Sequence, residues 1–106
     1  MPKYLQYGSY TEEGTKGLLK EGGSKRREAL EKAVKSAGGT LEAFYYAFGD
    51  NDFYFIVDGV DNIEAITASL VAKASGAANV KTIVLVTPEE IDQAVKRTTE
   101  WRPPGK

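Results

Sequence analysis

Residues 40–58 read TLEAFYYAFGDNDFYFIVD. Two strand-length runs, rich in aromatic and branched side chains, flank Gly49-Asp50-Asn51-Asp52. That tetrapeptide is a turn by composition, because Gly and Asn accept positive φ and Asp side chains bond nearby backbone. The stretch predicts a β-hairpin with strands over Thr40–Phe48 and Phe53–Asp58. Simple alternation sets Leu41, Ala43, Tyr45 and Ala47 on one face of the first strand and Phe44, Tyr46 and Phe48 on the other. Phe44, Tyr45, Tyr46, Phe48, Phe53, Tyr54 and Phe55 all belong to this hairpin, out of 6 Tyr, 4 Phe and 1 Trp in the chain.

Upstream, Lys3–Tyr10 reads as a strand, with Leu5, Tyr7 and Ser9 on one side and Tyr4, Gln6, Gly8 and Tyr10 on the other. Thr11–Lys20 is polar with two glycines, a turn or short irregular helix. Ser24 is the expected N-cap of a helix running to Lys35 or Ala37, its apolar stripe formed by Ala29, Leu30, Ala33, Val34 and Ala37. Gly38-Gly39 ends it. Downstream, Asp61 with Glu64 forms a capping box, and Ile63, Ile66, Leu70, Val71 and Ala74 supply that helix's apolar stripe. Val80–Val86 is a fourth strand. Thr87-Pro88-Glu89-Glu90 starts a short last helix, followed by the tail Trp101-Arg102-Pro103-Pro104. The order is strand, helix, strand, strand, helix, strand, then an extra C-terminal helix. This is an α+β, ferredoxin-like βαββαβ arrangement: a four-stranded antiparallel sheet with both main helices on one face. Residues 1–106 read as a single domain without linkers or repeats.

The composition excludes several chemistries. There are 106 residues with no Cys and no His. No disulfide framework, thiolate or imidazole metal ligand, Cys nucleophile or Ser-His-Asp triad can be built from them. No metal site and no cofactor are expected. The N-terminus lacks the apolar segment of a signal peptide, and no apolar run is long enough to span a membrane. The expected location is cytoplasmic. The net charge of −1 and pI near 5.5 argue against nucleic-acid binding. The charge is unevenly spread: both ends are basic and residues 40–92 are acidic, which suggests complementarity within the fold, between subunits, or with an anion.

A sheet covered by helices on one side should be polar on the other, yet this hairpin is aromatic on both faces. An uncovered apolar face that large is rare on a monomer. The expected cover is an identical sheet from a second copy, giving a homodimer or higher oligomer through sheet faces. A partial alternative is that the C-terminal helix and Trp101 fold over it.

Among candidate sites, Asp52 with Tyr54 or Tyr46 would supply acid–base groups beside an aromatic pocket. The competing reading of Asp50 and Asp52 is that they cap backbone amides in the turn. Tyr7, Phe44, Tyr46, Phe48 and Lys81 are candidate contacts for a small hydrophobic ligand. Lys25, Arg26 and Arg27 put three cations at a helix start, against the helix dipole, and with Arg102 form a candidate anion site. Pairing with Glu21, Glu28 or Glu31, or across an interface, is the alternative.

The opening MPKYL, the stretch GLLKEGGSKRREALEKAVKSAGG, the hairpin AFYYAFGDNDFYFIVD, and TPEE with WRPPGK together resemble the GYD domain family, a group of small bacterial proteins related to the dimeric α/β-barrel superfamily. The resemblance covers essentially the whole chain. It implies a ferredoxin-like fold and a dimer, and no particular reaction. The family's signature places a tyrosine in the hairpin turn where this chain has Asn51, and the resemblance makes Tyr54 or Tyr46 the candidates to replace it. Superfamily relatives include cofactor-free monooxygenases, lactone isomerases, haem-dependent enzymes and ligand-sensing modules. Two functions are therefore expected. The first is a homo-oligomeric small-molecule binding or structural assembly protein. The alternative is a cofactor-free enzyme, monooxygenase- or isomerase-like, acting on a small hydrophobic or aromatic substrate.

Overall fold

Strand β1 (Lys3–Tyr10) lies between β3 (Phe53–Asp58) and β4 (Ala78–Leu85), antiparallel to both, and β2 (Thr40–Tyr46) pairs with the far side of β3. The sheet order is β2-β3-β1-β4, all antiparallel. The structure is a computed structural model and describes residues 2–106. Helices α1 (Glu12–Glu21), α2 (Gly23–Ser36), α3 (Asn62–Ala74) and α4 (Pro88–Val95) complete it. The architecture is the expected α+β, ferredoxin-like one, with α2 over β2 and α3 over β4.

The core face carries Tyr4 and Gln6 from β1, Phe53, Phe55 and Val57 from β3, and Ala78 from β4, all buried. Phe55 stacks on Phe44 at 5.7 Å and lies 5.9 Å from Phe53, ring centre to ring centre. Val34 of α2, Ala65 of α3 and Val60 close this cluster from the helical side.

Simple alternation fails in β2. Leu41 pairs with Val57 and Ala43 with Ile56, so Glu42 is the extra residue of a β-bulge. The bulge resets the parity. Leu41 joins Phe44 on the core face, while Ala43 and Tyr45 lie opposite Ile56 and Tyr54 on the uncovered face. The bulged Glu42 is held by Lys3 at 2.6 Å. β2 also stops at Tyr46, short of Phe48, where the amide of Ala47 donates to the carbonyl of Asp52 at 2.8 Å.

The helical layer departs from expectation in three places. The stretch read as a turn or short irregular helix is the regular helix α1, capped by Thr11, whose side chain accepts from the Gly14 amide. α2 then begins at Gly23 behind Gly22 (φ +86°), without a side-chain cap, so Ser24 lies inside the helix. Its other end is as read: Gly38 (φ +84°) and Gly39 return hydrogen bonds to Lys35 and Val34 in a Schellman motif.

The third departure is α3. It starts as expected, on an Asp61–Glu64 capping box. Its stripe of large residues, however, faces outward: Ile63, Ile66, Leu70 and Val71 are all exposed, Ile63 at 72 %. The sheet side is made of small residues, with Ala65 buried and Ser69 hydroxyl donating to the Val80 carbonyl at 3.3 Å. Small side chains let the helix backbone approach the sheet closely, and the large ones have no room there.

The extra helix α4 also follows its caps, with Pro88 at its first position and a Thr87–Glu90 capping box. It does not fold over the sheet. Every residue from Pro88 to Lys106 is exposed, Trp101 at 75 %. The radius of gyration is 17.0 Å and the longest extent 56 Å, against roughly 13 Å expected for the radius of a compact chain of this length. The C-terminal segment is an arm.

The bulge and the aromatic stack make opposite predictions under mutation. Deleting Glu42 restores unbroken alternation with every other β2 side chain on its present face, and removes one exposed ion pair. It should cost no more than about 1 kcal/mol. Phe55→Ala leaves a cavity in the core and should cost about 3–5 kcal/mol. Urea unfolding of the two variants checks the contrast, and a deletion as damaging as the truncation would refute the register.

Candidate functional site

Three surfaces bring chemistry-bearing residues together. The first is the uncovered sheet face. Strand register aligns Tyr45, Tyr54, Tyr7 and Lys81 in one row across all four strands. Tyr7 and Tyr54 stack with ring centres 5.7 Å apart, and Lys81 Nζ lies 5.9 Å from the centre of the Tyr7 ring. The next row is apolar: Ala43, Ile56, Leu5 and Ile83. Beyond it Lys3 sits between Glu42 at 2.6 Å and Asp58 at 3.5 Å. The Glu42 hydrogen bond, helped by the charges of Asp58 and Glu42, outweighs desolvation and raises the Lys3 pKa. Asn51 Nδ2 donates to the Tyr54 hydroxyl at 3.3 Å, which ties the hairpin turn to this face.

The second surface is a cleft at the end of the sheet, between the hairpin turn, α1 and the start of α2. It encloses about 360 Å³ and is lined by Tyr10, Thr15, Leu18, Tyr46, Phe48 and Asp52 among others. Asp52 Oδ2 accepts from the Tyr10 amide at 2.9 Å, and its own amide donates to the Gly8 carbonyl at 2.7 Å. The Tyr46 hydroxyl donates to the Gly23 carbonyl at 3.1 Å. Gly23 permits this approach, since a Cβ there would stand 3.0 Å from the Tyr46 ring.

Tyr10, which sequence reasoning left as a strand residue, is the most perturbed acid of the cleft. Burial, and then the neighbouring Tyr46, push its hydroxyl up to about 12, against the opposing pull of Arg26. It is a neutral donor at physiological pH.

The candidate residues are thus divided. Asp52 and Tyr46 share the cleft, while Tyr54 faces the other side of the sheet with Tyr7 and Lys81. Phe44 is stacked into the core, and Phe48 is fully exposed at the cleft rim. Arg26 reaches Glu21 at 3.7 Å and Arg27 reaches Glu31 at 3.9 Å, while Lys25 has no ion pair among the described residues. Arg102 does not join them: its guanidinium donates to the Lys106 carbonyl within the exposed arm, at 3.0 Å.

The third surface is a cavity between α2 and α3 that the sequence reading missed. It measures about 130 Å³, is floored by Gln6, Phe55 and Val57, and is walled by Leu30, Ala33 and Ala37 on one side and Ala65, Ala68 and Ala72 on the other. Alanines on both helices leave the space between them unfilled. Gln6 is 4 % exposed. Its Nε2 donates to Thr82 Oγ1 at 3.1 Å and, longer, to the Ala65 carbonyl at 3.4 Å. Oε1 takes no donor from the described residues and is not sealed off, since no fully buried side-chain polar atom among them lacks a partner; it opens onto a wall that is apolar apart from Glu64. The available sequence signal was Gln6 on the same side as Tyr4, facing alanines spaced along both helices.

Compared with known protein families, residues 4–95 match the model of the GYD domain. The chain belongs to the GYD domain family. The match runs from Tyr4 in β1 to Val95 at the end of α4, so the cleft, the cavity and all of the sheet except Lys3 lie on the GYD portion, and residues 1–3 and the tail beyond α4 fall outside it. No curated protein matches the chain. No solved structure matches it either. Among the described residues of this GYD chain, no cluster of three or more carboxylates could hold a metal ion, and no helix is long and apolar enough to cross a membrane.

Tyr10 supplies a pH test of the cleft. Its pKa in the folded chain is raised above the ordinary 10.0. Its contribution to stability is therefore complete below pH 10 and is lost as pH rises through about 12. Tyrosinate absorbance should show one tyrosine ionising near pH 12, and Tyr10→Phe should remove that late step. Urea unfolding should weaken over the same range, less steeply in the variant.

Proposed function

We propose that this GYD chain is a homo-oligomeric small-molecule binding protein. Two copies bury their uncovered sheet faces against each other, and each copy takes a small, mostly apolar ligand between α2 and α3. The observation that carries the binding reading is the buried Gln6 amide at the floor of an apolar cavity, with Oε1 free to accept. An acceptor that opens onto an apolar cavity can take an O–H or N–H from a ligand in place of water. The size of the cavity limits the ligand, since an apolar cavity near 150 Å³ holds about one benzene ring. The ligand class is therefore a single ring or short aliphatic chain with one donor.

The pairing of sheets is supported by the row Ala43, Ile56, Leu5 and Ile83 at the middle of the uncovered face. The tyrosine row beside it packs ring faces while its hydroxyls remain able to meet polar partners or water. No observation favours the enzyme reading as strongly. Asp52 in the cleft already accepts from backbone, and Tyr10 holds its proton.

Each half has its own test. Light scattering at micromolar concentration should give a dimer or larger, and Ile56→Glu should give a folded monomer; a wild-type monomer would end the assembly reading. Phenol, titrated into the isotopically labelled protein, should shift the amides of Ala33, Ala65 and Ala68. Gln6→Leu should lose about 2- to 10-fold of the preference for phenol over toluene, the worth of one hydrogen bond. Equal binding of both probes by both proteins would remove Gln6 from the site.

A further inference from the structure

α4 is built to be a helix and has nothing to pack on. Its capping box, its Pro88 start, and Glu89 and Glu90 near its positive end all stabilise it locally. Even so, an isolated helix of eight residues is marginal in water. Ile91, Ala94 and Val95 form one stripe, every residue of it exposed. An amphipathic helix with a bare apolar stripe needs a partner surface.

The matching surface is on the same chain. The cavity is lined by Ala33 of α2, Ala37 at the C-cap of that helix and Ala68 of α3, all exposed. None of the α2 cations lines the cavity, but the helix that carries Ala33 is basic over its length: Lys25, Arg26, Arg27, Lys32 and Lys35 against only Glu28 and Glu31, a net of +3. Lys25, Lys32 and Lys35 have no ion pair among the described residues. α4 is the complement, with Glu89, Glu90 and Asp92 and no cation, a net of −3. The outward residues Ile66 and Leu70 of α3 extend the apolar surface. The arm leaves its own body, so the groove it fits is that of another copy.

We propose that α4 of one copy docks in trans across the mouth of the α2–α3 groove of a second copy, and that the ligand cavity is complete only when this arm closes it. Ile91 and Val95 lie on these exposed alanines while the flanking acids face the lysines of α2. The closing role rests on the proposed ligand site; the docking does not.

The chain has no cysteine, so introduced pairs report without background. Chains carrying Val95→Cys, mixed under mild oxidation with chains carrying Ala33→Cys, should form a species at twice the 11.5 kDa chain mass. They should do so faster than with chains carrying Lys16→Cys, a control on exposed α1. The yield should fall as salt screens the acid–lysine pairs. Equal rates for both acceptors overturn the docking, as does exclusive closure within one chain when Val95→Cys and Ala33→Cys are combined.

Phenol titration separates the two claims. The variant Ile91→Glu with Val95→Glu should bind phenol about fivefold more weakly, the affinity that roughly 40 Å² of re-exposed apolar ligand surface accounts for. Unchanged affinity overturns the closing role. A wild-type chain that takes no phenol overturns the ligand reading and the closing role together, and leaves the crosslink to decide the docking.

Discussion

The bulge at Glu42 decides which side of this protein is inside. Side chains in a strand alternate with a period of two, so one extra residue exchanges the faces of everything beyond it. Placing it between Leu41 and Ala43 lets Leu41 and Phe44, three apart, both reach the core, while Tyr45 goes to the other face with Tyr54. The stack of Phe44 on Phe55, the tyrosine row on the uncovered face, and the position of Tyr46 above Gly23 all follow from that one insertion. The Lys3–Glu42 pair sits where the extra residue must go, and it is exposed, so its role is geometric more than energetic.

A second constraint acts on the helical side. α3 meets the sheet through alanine and serine, and α2 turns alanines toward the space between them. Helices that touch a sheet through small residues sit close to it but fill little volume. Two consequences appear at once: a cavity over Gln6, and a row of large apolar residues on the outer surface of α3. Both are unusual in a self-sufficient monomer, whose interior is close-packed and whose exposed apolar surface is scattered. They are the two features on which the proposed ligand site and the proposed docking of α4 rest.

Much of the fold was legible because the signals were local. The Asp61–Glu64 and Thr87–Glu90 capping boxes, the Gly38-Gly39 stop and the hairpin turn each depend on a few adjacent residues, and each appears where the sequence places it. The bulge was not legible, since no residue type demands one at Glu42; the pairing with Val57 and Ile56 does. The direction of α3's large stripe was also misleading. Periodicity shows that Ile63, Ile66, Leu70 and Val71 share a face, but not that the alanine face is the one that fits the sheet. The candidate residues fared similarly. Asp52 and Tyr46 are close because the hairpin closes between them, whereas Tyr54, two residues from Asp52, lies across the sheet from their cleft.

By itself, the sequence determined the four strands, three of the four helices and their order, the GYD family resemblance and the absence of thiol and imidazole chemistry, because each rests on composition or on contacts between near neighbours. Only the tertiary structure decided that Gln6 ends buried beneath alanines, that Tyr10 joins Tyr46 and Asp52, and that the last helix stands free. Those outcomes depend on how closely residues far apart in the chain can approach, and that distance is set by the packing of whole elements against one another.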